Sequence, residues 1–220
     1  MIINKDTSYY LHGTGTDIMA ETDTLVTRIS ATGNLDWYHL GGSGRDRPIK
    51  IVSNRTSDPF VLVRQGGRNL SGPTATVNAY DKRDGSYPWG ETILNDGLVS
   101  STYPVDLNIN FPGDLVVGGT AKPLCDITKT NACAEPQHAF VSLVDSTSME
   151  QWYYLDLSSG YVTHVAINNH YVVAGVKDSN RGFVALFPVT PTFRDYKGLE
   201  DGVKDSRLPD RGKLPFPKKP

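Results

Sequence analysis

The chain repeats itself, and that constrains its fold more than any single motif. Four short apolar or alternating runs, separated by Gly, Asp, Asn and Ser, recur in the same order. The first unit reads SYYLHG (8–13), DTLVTRIS (23–30), LDWYHL (35–40) and PIKIVSN (48–54). The second reads DPFVLVRQG (58–66), ATVNAYD (75–81), YPWGETI (87–93) and PVDLNIN (104–110). The third reads DLVVGG (114–119), HAFVSLVD (138–145), EQWYYLDL (150–157) and VTHVAIN (162–168), and a fourth begins with YVVAGV (171–176) and GFVALFPV (182–189). Runs of this length, rich in Val, Thr and aromatics, are strands. No ten-residue window carries a 3.6-residue apolar period, so the chain is expected to be all-β.

The turn between the second and third runs recurs as SATGN, DKRDGS and DSTSM, which is hairpin chemistry tolerant of positive φ. Trp37, Trp89 and Trp152 stand at the same place in the third run of each unit, roughly 50–60 residues apart. A four-stranded unit has two faces and cannot cover both alone, so units must stack on one another. The three tryptophans are read as structural anchors that fill the gap between neighbouring units.

At these residues the chain resembles a known repeat. DTLVTRISATGNLDWYHLGGSGRD is similar to the bacterial-type, Trp-containing β-propeller repeat, and HAFVSLVDSTSMEQW matches its first half. ATVNAYDKRDGSYPW also resembles the repeat of pyrroloquinoline-quinone propellers. The likeness spans residues 8–190 and is strongest in the first unit. The Gly41–Asp46 segment, GGSGRD, occurs once only. The resemblance implies β-propeller blades of four antiparallel strands, three complete, with partial blades at both ends. MIIN (1–4) is read as the last strand of a preceding blade, because it aligns with VAIN (165–168). It either closes a small four-bladed ring or belongs to a larger propeller. TFRDYKGL (192–199) is a weak candidate for an additional strand. Residues 1–192 thus form the propeller segment, and 193–220, charged and Pro-rich, a tail.

Charge and length exclude several classes. A formal net charge of −2 lacks the Lys and Arg excess that a nucleic-acid binder needs to displace counterions. No apolar run reaches the roughly 20 residues of a membrane span. The N-terminus has no apolar core of a signal peptide, so a secreted protein would have this chain as a mature form or an excised piece.

Cys125 and Cys133 stand in a polar insertion, PLCDITKTNACAEP, where a disulfide is the leading reading; free thiols and a metal site with His138 are the alternatives. Asn54-Arg-Thr and Asn69-Leu-Ser fit the N-glycosylation sequon. Disulfide and sequons together point to an extracellular or cell-surface setting.

Motifs of chemistry are missing from the sequence. Histidines 12, 39, 138, 164 and 170 have no metal-ligand spacing, and there is no G-x-S-x-G elbow or Walker loop. Asp81, Asp84 and Gly85 suggest calcium, but the other acidic ligands of a Ca²⁺ loop are absent and a hairpin turn accounts for them. No catalytic residue, cofactor or metal ligand is assigned. The expected function is a non-catalytic extracellular scaffold or protein-interaction module, with a cell-surface or filamentous assembly as one setting, and with protein, self or glycan contacts. The alternative is a fragment of a quinoprotein-like propeller enzyme whose site lies in other blades.

Overall fold

The computed structural model describes residues 2–3, 8–16, 22–41, 45–54, 58–66, 72–93, 99–111, 113–123, 137–144, 150–158, 160–178 and 181–188. Among these residues the fold is all-β, with fifteen strands and no helix. The first sheet runs in order through β1 (Ile2–Ile3), β2 (Tyr9–Thr16), β3 (Thr22–Ile29) and β4 (Leu35–Gly41). The second holds β5 (Arg47–Val52), β6 (Phe60–Gln65), β7 (Thr74–Ala79) and β8 (Trp89–Ile93). The third holds β9 (Val99–Ile109), β10 (Leu115–Pro123), β11 (His138–Val144) and β12 (Glu150–Ser158). The fourth, of three strands, holds β13 (Tyr161–Ile167), β14 (Tyr171–Asp178) and β15 (Arg181–Pro188). In every sheet each strand is bonded to the next in sequence, a plain meander.

The sheets begin one strand earlier than the repeat units read from the sequence. Runs 48–54 and 162–168, taken there as the close of a unit, open the next sheet: Ile51 pairs with Val61 and Val165 with Ala174. Likewise Ile2 pairs with Tyr10, so the first strand joins the first sheet and is not the last strand of a preceding blade. The partial blade expected at the N-terminal end is therefore corrected. The physical reason is that a tandem repeat fixes the spacing of its strands but leaves open which gap is a hairpin and which is the passage to the next sheet.

Local chemistry explains the hairpins. In the β3–β4 turn, Gly33 takes φ 87° and donates to the Ser30 carbonyl at 3.0 Å, while the Ser30 hydroxyl accepts from the Asn34 amide at 3.0 Å. In the β7–β8 turn, Asp81 accepts from the Arg83 amide at 2.8 Å, Asp84 from the Ser86 amide at 2.9 Å, and Gly85 takes φ 73°. These carboxylates are turn acceptors, each satisfying a backbone donor that the tight turn leaves over. The Asn that ends a first strand works in the same way. Asn110 Oδ1 accepts from the amides of Gly113 and Asp114, and Asn168 Oδ1 from those of His170 and Tyr171.

The chain divides into two compact units, Met1–Ile93 with Thr102–Pro104, and Leu94–Ser101 with Val105–Pro220. In the first unit, Tyr10, Val26 and Trp37 of the first sheet bury against Ile51, Val61, Val63 and Tyr80. In the second unit, Val116, Ala139, Val141 and Leu143 of the third sheet bury against Val162, Val165, Val172, Ala174, Val176, Ala185 and Phe187. Each fully buried Val, Leu or Phe contributes roughly 1.5–3 kcal/mol, which makes these two inter-sheet cores the main source of stability. The tail, 193–220, and the run 192–199 lie outside the described residues.

Candidate interaction surface

Aligning the sheets by register gives each a front and a back. Alternation puts Tyr10, Phe60, Val116 and Val173 on equivalent fronts, and Leu11, Val61, Val117 and Ala174 on equivalent backs. The first sheet meets the second front to back, and the third meets the fourth in the same sense. Leu62, Val77, Ala79 and Ile93 on the front of the second are fully enclosed, as are Val117, Phe140 and Ser142 on the back of the third.

Two faces carry exposed apolar side chains. The back of the first sheet carries Tyr9, Leu11, Leu25 and Ile29, half-buried, and then Leu35, Tyr38 and Leu40 on β4, with Leu35 59% and Tyr38 65% exposed. The front of the fourth sheet carries Ala166, Val173 and Leu186, with Tyr171 45% and Val184 53% exposed. A run of exposed apolar side chains on one sheet face is a candidate interaction surface.

The junction inside the first unit is polar as well as apolar. The Trp37 indole donates to the Lys82 carbonyl at 3.2 Å, and the same oxygen accepts from Arg28 Nη1 at 3.0 Å. Arg28 also pairs with Asp36 at 3.5 Å, and the Lys82 amide is held by Asp58 at 3.2 Å. A Cβ on Gly85 would come within 2.5 Å of the Trp37 ring, so only glycine lets this turn lie flat on the indole. Close by, His39 stands edge-on to Tyr80, ring centroids 5.2 Å apart, and Tyr87 packs on both.

Burial lowers the His39 pKa and pushes the Tyr80 phenol up to about 12, so the uncharged form of each is favoured in this cluster. His12, flanking Val26 from the other side, is lowered by burial too, and its Nδ1 is enclosed without a hydrogen-bond partner among the described residues. On the exposed Asp81, hydrogen bonds from Arg83 hold the carboxyl down at about 2.

In the second unit a single carboxylate ties the sheets. Asp106 of β9, buried, accepts the Val165 amide of β13 at 2.8 Å. Val165 lies on β13, the edge strand of its sheet, where alternate amides point away from the ladder. The residue pattern gave no hint of this tie, because Asp106 has no counterpart at the matching repeat positions, Lys50 and His164.

The residues singled out from the sequence fall as follows. Trp37, Trp89 and Trp152 all lie on the last strand of their sheets. Their registers are not identical: Trp37 faces Arg28, Trp89 faces Ala79, and Trp152 faces Ser142. The bulge at Arg28/Ile29 shifts the first hairpin by one residue relative to the third. Trp37 is buried; the side chains of Trp89 and Trp152 lie outside the described residues. Asn54 is half-buried, at the repeat position of Asn110 and Asn168. Asn69, Cys125 and Cys133 lie outside the described residues. His138 is buried. Among the described residues no three His, Cys, Asp or Glu gather as a metal would require, and no helix is long and apolar enough to cross a membrane.

Comparison with known proteins returns neither a matching family model nor a matching curated protein.

Proposed function

We propose that this chain is a non-catalytic, extracellular scaffold or protein-interaction module built from propeller-type blades. The observation that carries the proposal is a pair of apolar sheet faces with exposed side chains, the back of the first sheet in one unit and the front of the fourth sheet in the other. Four-stranded meanders packed front to back are the blade architecture, and the strand count per sheet supports it. The working surface is then sheet face and turn, and the chemistry of recognition is burial of Tyr38, Leu40, Tyr171 and Val184 by a partner. A Cys125–Cys133 disulfide and glycans at Asn54 and Asn69 belong to the same proposal, as does placement outside the cell or on its surface.

Two measurements on protein purified from its native source test it. The ultraviolet–visible spectrum and elemental analysis are expected to show no stoichiometric chromophore or metal. Peptide mass spectrometry before and after deglycosylation is expected to show occupied sequons and a bridged cysteine pair. A bound quinone or metal at one equivalent would overturn the scaffold reading in favour of a quinoprotein-like enzyme fragment.

A further inference from the structure

The two uncovered faces are of opposite kind. In each unit a front packs on a back: Tyr10, Val26 and Trp37 on Ile51 and Val61, and Val116 and Val141 on Val165 and Ala174. What is left over is the back of the first sheet and the front of the fourth. The repeat therefore supplies both halves of one more junction of the kind it already makes twice.

The first-sheet back exposes Leu35, Tyr38 and Leu40. The fourth-sheet front carries two cross-strand rows, Ala166–Val173–Leu186 and His164–Gly175–Val184, with Tyr161 and Tyr171 toward the strand ends. Its only cation opposite an aromatic is Lys177, 6.0 Å above the Tyr161 ring, among the described residues. Both faces are exposed in the single chain, and a net charge of −2 sets little repulsion against association.

We propose that the front of the fourth sheet of one copy covers the back of the first sheet of a second copy, head to tail. This deepens the scaffold reading by naming the partner and rests on it for the front and back assignment. Such a contact is heterologous: each copy keeps one free face, so association continues until a ring closes or a filament grows.

The test uses the full chain and two variants, Tyr38→Glu on the first-sheet back and Val184→Glu on the fourth-sheet front. Both residues are more than half exposed, so the fold is expected to survive; far-UV circular dichroism and the urea midpoint check it. Sedimentation velocity across a micromolar to near-millimolar series is expected to show wild-type chain growing beyond a dimer. Each variant alone is expected to associate about tenfold more weakly or worse. Mixed one to one, the two variants are expected to give a dimer and nothing larger, because one intact front meets one intact back. That restored dimer cannot arise from misfolded chains. A wild type monomeric at every concentration overturns the proposal, as closure within one chain or a different partner would produce. Association unchanged by either variant, or a mixture that stays monomeric, overturns it equally. A monomeric chain free of cofactor removes this inference while leaving the scaffold reading standing, whereas bound quinone removes the scaffold reading itself.

Discussion

The indole N–H of Trp37, on the last strand of the first sheet, donates to the carbonyl of Lys82 in the closing turn of the second sheet at 3.2 Å. One side chain thereby couples two sheets, through its ring on Gly85 and through its N–H on the turn backbone.

Removing that coupling is costly. Trp37→Ala is expected to lower unfolding stability by about 3–5 kcal/mol, the usual loss for a buried large aromatic. Trp37→Phe keeps ring burial but removes the indole donor to the Lys82 carbonyl, at a cost of about 1–2 kcal/mol. Gly85→Ala destabilises both by its Cβ and by its positive φ, and loses much of its effect in the Trp37→Ala background. Urea denaturation of the four proteins checks the cycle.

The strands, the hairpin turns and the stacking of units were legible in the sequence, because Val- and Thr-rich alternation and turns such as ATGN and DKRDGS are local signals. The phase of the sheets was not. Pro48–Val52 reads equally well as the end of one unit or the start of the next, and only its pairing with β6 decides. A cue did exist: Asn54, Asn110 and Asn168 each end a first strand, and an Asn accepting turn amides marks a hairpin just after it. The tie from Asp106 to Val165 was not legible at all, since it joins residues from different repeats across a sheet interface.

Asp106 gives a prediction of its own. Asp106→Leu leaves the buried Val165 amide without its acceptor and is expected to destabilise the second unit by about 1–3 kcal/mol. Asp106→Asn keeps an acceptor oxygen and is expected to cost less than half of that. Thermal unfolding followed by near-UV circular dichroism separates the two; equal losses would show that charge, not acceptance, is what matters there.

Gly118 stands where the third and fourth sheets approach most closely. A Cβ there would lie 2.5 Å from Val165 Cγ1 and 2.6 Å from Val162 Cγ1, both in the buried core. Gly118→Ala is therefore expected to be destabilising, by about 1–3 kcal/mol from overpacking, although alanine is ordinarily better than glycine in a strand. Pairing it with Val162→Ala, which opens space, is expected to recover part of the loss in urea denaturation.

Acid weakens the first unit. Burial holds His12 and His39 below the ordinary histidine value of about 6.5, so the unfolded chain binds their protons more readily than the folded one. Their contribution is complete above that value and is lost as pH falls below it toward the depressed folded values. Asp81, held at about 2, titrates well outside this window. The urea midpoint is expected to fall between about pH 7.5 and pH 5, with a shallower fall in His12→Gln/His39→Phe protein. An identical slope in both proteins would remove the two histidines from the account.

The two exposed apolar faces and the inter-sheet core of each unit are read most directly by hydroxyl-radical footprinting of the dilute, monomeric chain with mass-spectrometric readout. The account predicts rapid modification of Tyr38, Leu40, Tyr171 and Val184, and protection of Tyr10, Tyr80, Phe140 and Phe187. Protection of Tyr38 and Val184 in that monomer, or ready oxidation of Tyr10 and Phe140, would contradict it.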